Sequence, residues 1–115
     1  MLLTEIETRL KEFGLPVYYG LVDESQREMV WDYFVFNRRT LKHPGNKTGV
    51  SEYFDVHIIR ENYIPEGVAD EIIETICSIP GVRRTAEDCT FQYSQKPNTN
   101  IVLELLTIPF VRARK

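Results

Sequence analysis

Residues 53–58, YFDVHI, alternate with a strict two-residue period. Phe54, Val56 and Ile58 fall on one side, and Tyr53, Asp55 and His57 on the other. That is the pattern of a β-strand with one face on a core and the other face polar. Upstream, the run from Met29 to about Arg39 is rich in Trp31, Tyr33, Phe34, Val35 and Phe36, and is apolar on both faces. Such a strand belongs inside a sheet or is covered on both sides. Between the two strands, Thr40–Ser51 has no apolar periodicity and contains Pro44, Gly45 and Gly49. This predicts a long exposed loop over 40–51, longer than a tight hairpin needs.

Downstream, Val68, Ile72, Ile76 and Ile79 form the apolar stripe of a helix over 65–79, with Pro65 at its first position and Pro80-Gly81 ending it. Glu66, Asp70, Glu71 and Glu74 lie off the stripe. Two further strands follow, near Cys89–Ser94 and Asn100–Val111, with Gln95–Thr99 as the turn between them. In the second of these, Ile101, Leu103 and Leu105 fall on one side. At the other end of the chain, Leu3, Ile6, Leu10 and Phe13 give a helix in the first thirteen residues. Thr4 and Glu7 have capping-box spacing, although a helix starting at Met1 fits equally well. Gly14 serves as its C-cap, and Pro16 prevents continuation. Val17–Val22 is a short strand, closed by the turn residues Asp23–Gln26.

The order α-β-β-β-α-β-β predicts a single α+β domain over 1–115. Two helices would lie on one face of a mainly antiparallel sheet of four to five strands. Phe54, Val56, Ile58, Ile72, Ile76, Leu103 and Leu105 are the expected core. Tyr18, Trp31, Tyr33, Tyr53, Ile59, Phe91 and Tyr93 do not all fit under two helices, and this suggests that some meet a partner.

The chain has 115 residues, 43% of them hydrophobic and 27% charged, a composition that can bury its own core without a metal or disulfide. Its 14 basic and 17 acidic residues give a net charge of −3, which argues against a general nucleic-acid binder. Positive charge concentrates at Arg38, Arg39, Lys42 and Lys47, with His43 among them, and again at Arg112, Arg114 and Lys115. Cys77 lies on the apolar helix and reads as a core residue, and its spacing to Cys89 fits no zinc pattern. The sequence shows neither a secretory signal nor a long apolar run, so a cytoplasmic protein with no membrane contact is expected.

No catalytic constellation emerges. His57 and Asp55 share one strand face and could orient a general base, but a polar stripe accounts for them equally. No phosphate-binding glycine motif or nucleophile elbow is present, and two histidines without clustered carboxylates make a poor metal site. No cofactor is expected. The basic loop beside an aromatic strand leaves a small ligand- or single-stranded nucleic-acid-binding module as an alternative. The residues singled out as an interface are Trp31, Tyr33, Arg38, Arg39, Lys42, His43, Lys47 and Tyr53.

Taken in order, LLTEIETRLKEFG, VYYGLV, WDYFVFNRR, YFDVHIIREN, EGVADEIIETICSIPGVRR and NTNIVLELLTIPFVRARK resemble the small tail-terminator and tail-completion proteins of long-tailed bacteriophages and prophages. The likeness lies in architecture and segment order across nearly the whole chain, not in a diagnostic motif. Small head–tail connector proteins remain a related match. The resemblance implies a non-enzymatic virion protein that assembles into a ring, commonly a hexamer. Such a ring caps the tail tube protein and offers a docking surface to a head-side connector. It further implies assembly in the host bacterial cytoplasm and residence in the virion tail, with the 40–51 loop turned toward a neighbour or the tube.

Overall fold

A computed structural model describes residues 2–20, 31–43 and 49–114. Two helices and a six-stranded, mostly antiparallel sheet make an α+β fold, with α1 (Leu2–Lys11), β1 (Val17–Tyr19), β2 (Tyr33–Lys42), β3 (Val50–Glu61), α2 (Val68–Cys77), β4 (Val82–Arg84), β5 (Thr90–Gln95) and β6 (Val102–Arg114). The strands lie in the order β1-β2-β3-β6-β4, and β5 also pairs with β6. Only β1 runs parallel to its neighbour. The outer side of β6 is divided along its length: β5 pairs with Val102–Thr107 and β4 with Phe110–Arg112. The sheet is therefore five strands wide, with the fifth place held by two short strands.

The cross-strand register explains the core. Phe34, Ile58 and Leu106 form one row, Phe36, Val56 and Ile108 the next, and Phe54 stacks on Phe110 at 5.4 Å. All of these side chains project to the same face. There they join Leu2, Ile6 and Leu10 of α1 and Ile72 and Ile76 of α2 in one buried cluster. Both helices thus cover a single face, as their stripes predict.

Four details differ from the sequence reading. First, the core side of β6 is Leu106, Ile108 and Phe110. Leu103 is buried on the opposite, far face and Leu105 is only half-buried there. Because β6 is apolar on both faces, its period alone did not say which side met the helices. Second, β2 runs to Lys42 and β3 begins at Val50, so the connecting loop narrows to 43–49, of which 44–48 lie outside the described residues. Third, β4 adds a strand that its three residues hardly signal. Last, α1 already includes Thr4, so Thr4 and Glu7 form no capping box, and α2 starts at Val68 behind Gly67, whose φ of 88° suits glycine.

Pro109 sits in the middle of β6 at no cost to the ladder. Its carbonyl accepts hydrogen bonds from the Thr85 N–H and an Arg84 guanidinium N–H, on the side away from β3. Its missing N–H falls in the gap between β5 and β4, where no strand partner is lost.

Core assignments of this kind are tested by truncation. Ile72→Ala and Ile108→Ala should each destabilise by roughly 2–5 kcal/mol in chemical denaturation. Leu105→Ala should cost clearly less than Ile108→Ala, because Leu105 lies half-exposed on the far face.

Candidate interaction surface

The far face, opposite the helices, divides into an apolar patch and a polar stripe. Tyr33, Ile59 and Leu103 are buried at the centre of the patch, flanked by Tyr18, Trp31, Val35 and Leu105. Tyr33 meets Tyr18 edge-on at 5.6 Å and Trp31 at 6.3 Å. Because Tyr33 is only 5% exposed, it supports the patch, while half-buried Trp31 and Tyr18 present it.

The polar stripe crosses the middle of the sheet. His57 bridges its neighbours, with Nε2 2.7 Å from Asn37 Oδ1 and Nδ1 2.8 Å from Thr107 Oγ1. A neutral ring that donates from Nε2 and accepts the threonine hydroxyl at Nδ1 satisfies all three groups. Burial pushes the His57 pKa below its ordinary value of 6.5, and nearby Asp55 only partly opposes this. Asp55 does not bond to His57. It accepts from Arg39 Nε at 3.3 Å, so the two residues form no acid–base dyad.

Arg39 is the extra residue of a bulge in β2, where the register shifts between Arg38 and Thr40. Its guanidinium reaches Asp55, Glu87 at 2.6 Å and the face of Tyr53 at 5.4 Å. Arg84 donates to the carbonyls of Thr85, Glu87 and Pro109, and Arg112 binds Glu5 of α1 at 3.1 Å. These three arginines fasten the chain to itself.

The pairing of β3 with β6 brings both basic stretches of the sequence to one end, since Val50 faces Arg114 and Ser51 faces Ala113. Lys42 and His43 are exposed there, as is Arg83 on β4. Among the described residues, the exposed Arg38 guanidinium hydrogen-bonds the Tyr19 hydroxyl alone, at 3.0 Å. Lys47 and Lys115 lie outside the described residues. The interface residues read from the sequence therefore fall into two groups. Arg38, Arg39, Lys42, His43 and Tyr53 gather at the basic end, while Trp31 and Tyr33 belong to the apolar patch at the other end of β2.

One surface was not anticipated as a unit. A groove of about 450 Å3 runs between β5 and the start of α2, lined by Tyr63, Ile64, Pro65, Glu66, Phe91, Tyr93 and Glu104 among others. Glu104 accepts the Ile64 N–H at 2.7 Å, and the Tyr93 phenol bonds to the same carboxylate, which raises its pKa. Tyr63, 67% exposed, follows the left-handed Asn62 and precedes Pro65 in a connecting segment. It has no strand or helix period to announce it. The exposed carboxylates Glu66, Asp70, Glu71 and Glu74 begin at this groove, eight β6 residues (roughly 26 Å at 3.3 Å per residue) from the basic end. No helix among the described residues is long and apolar enough to cross a membrane.

No protein-family model matches the chain, and no curated protein matches its sequence.

The position of His57 has a measurable consequence. Its folded pKa lies below its unfolded one, so the unfolded chain binds a proton before the native chain does. Stability is full above pH 6.5 and declines as the pH falls from 6.5 toward the folded value. His57→Gln should remove that part of the pH dependence, read as the difference between the two denaturation profiles at pH 5 to 8.

Proposed function

We propose that this chain is a non-enzymatic structural protein of a long-tailed phage or prophage. It caps or completes the tail and joins it to the head, acting as a ring, with the hexamer as the expected form. One observation carries the reading: Arg38 and Lys42, which form no ion pair among the described residues, lie toward the end of the sheet where Val50 meets Arg114, while exposed Glu66 lies at the β5 end and Asp70, Glu71 and Glu74 follow it along α2. A head-to-tail ring needs two different, complementary patches on each subunit, and charge of opposite sign selects that partner and that orientation. The exposed edge of the apolar patch gives such a contact something to bury. Tail tube and head-side connector are the further partners of this reading.

The test separates the free cations from those that hold the fold. Arg38→Glu combined with Lys42→Glu should leave the melting temperature almost unchanged, because exposed charges contribute about 0–1 kcal/mol. At low concentration the same variant should sediment near the monomer mass of 13.5 kDa, and it should fail to complete tails. Wild-type assemblies should weaken as salt rises and the screening length falls from about 10 Å at 0.1 M to about 3 Å at 1 M. Normal assembly and tail completion by the reversed variant would overturn the reading. Arg39→Glu, by contrast, should lower the melting temperature, since it places a third carboxylate beside Asp55 and Glu87.

A further inference from the structure

We propose that the outer edge of β5 is a self-association surface. Thr90–Gln95 pairs antiparallel with the same strand of a second copy of this chain, about a two-fold axis through Gln92. The contact lies away from the basic end and does not rest on the ring reading.

Among the described residues, β5 pairs only with β6, and all six of its residues are exposed. Phe91 is 53% and Tyr93 65% accessible. Edge strands usually block pairing with a charge, a proline or a bulge. The sequence TFQYSQ has no charge and no proline, and its register with β6 is unbroken.

The backbone determines which residues can pair. The carbonyls of Ile101 and Pro109 accept from Lys96 and Thr85, so the odd-numbered residues of β6 turn their hydrogen-bonding groups toward the β5 side. Leu105 and its partner Gln92 therefore bond to each other. The N–H and C=O groups of Phe91, Tyr93 and Gln95 point outward. An antiparallel copy must set outward residues against outward residues.

Side chains then choose among the allowed registers. Centring on Gln92 sets Phe91 opposite Tyr93 of the second copy, twice over, as aromatic cross-strand pairs on one face. The same register carries Asp88 toward Lys96 of the second copy at both ends of the strand. Lys96 already binds Glu61 at 2.5 Å but has further donors to offer. Centring one residue later, on Tyr93, sets Phe91 against Gln95 and Asp88 against Asn98, and loses both complementarities. An uncharged strand with acid and base flanking its two ends fits its own antiparallel copy.

A six-residue edge is small beside the roughly 1,200–2,000 Å² buried in stable interfaces, so the dimer is weak and depends on concentration. Sedimentation of the Arg38→Glu/Lys42→Glu variant, which lacks the ring contact, should show monomer passing to dimer across a wide concentration series. In this register the two Gln92 residues form a non-hydrogen-bonded pair with Cα atoms about 4.5 Å apart, within disulfide reach. Gln92→Cys, treated with oxidised glutathione, should give covalent dimer at least tenfold faster than Ser94→Cys or the wild-type cysteines. Tyr93→Lys should abolish the dimer while keeping the wild-type circular dichroism and melting temperature. Monomer at every concentration, or cross-linking at 92 no faster than at 94, would overturn the proposal. A ring that forms without the 92 cross-link would overturn it too, and would leave the ring reading standing. Loss of rings with the 92 cross-link intact would do the reverse.

Discussion

Twelve consecutive residue pairs join β3 to β6, from Val50–Arg114 to Glu61–Leu103, and every other strand except β1, which pairs with β2, attaches to one or the other of them. β2 and, beyond it, β1 extend the sheet from β3, while β4 and β5 both hang on β6. The helices pack on the rows that these two strands define. Burial of Phe54, Val56, Ile58, Leu106, Ile108 and Phe110 beneath α1 and α2 supplies the hydrophobic gain, at about 1.5–3 kcal/mol for a fully buried large side chain. The ladder also has long reach in sequence, which makes its formation entropically demanding and the whole sheet dependent on it.

That central pair shows why one half of the fold was legible and the other was not. In β3 one face is polar, with Asp55 and His57, so the period of the sequence identifies both the strand and its buried side. In β6 both faces are apolar: Leu106, Ile108 and Phe110 meet the helices, while Leu103, Leu105 and Val111 lie across the sheet. A period of two cannot choose between equally apolar sides. The bulge at Arg39 has no sequence mark either, yet it turns that guanidinium toward Asp55, Tyr53 and Glu87. The three-residue β4 is ordered by its neighbour β6 and by Arg84, not by its own composition.

The candidate surface was legible in the same uneven way. The sequence identified the basic residues but could not distinguish those that bind their own chain from those left free. Geometry makes that distinction: Arg39, Arg84 and Arg112 are held by Asp55 and Glu87, by backbone carbonyls and by Glu5, and their charge is spent inside the molecule. Arg38, Lys42 and Arg83 keep theirs for the outside. Tyr63 stands in a connection and carries no periodic signal, while Phe91 and Tyr93 stand out in the sequence as excess aromatics with nothing to join them in one groove.

β4 and β5 are separate hydrogen-bonded segments on the same side of β6: Arg84 lies opposite Phe110 and Thr90 opposite Thr107, and Pro109, with no N–H to offer, stands in the gap between them. Local opening of a protein proceeds through such separable units. The β5–β6 tip can therefore fray from Gln95 back to Thr90 while Val82–Arg84, tied down by Arg84 and by Ile79 of the core, stays closed. In amide exchange the molecule would behave as a slow ladder with one fast border, and that border is where the aromatic side chains stand exposed.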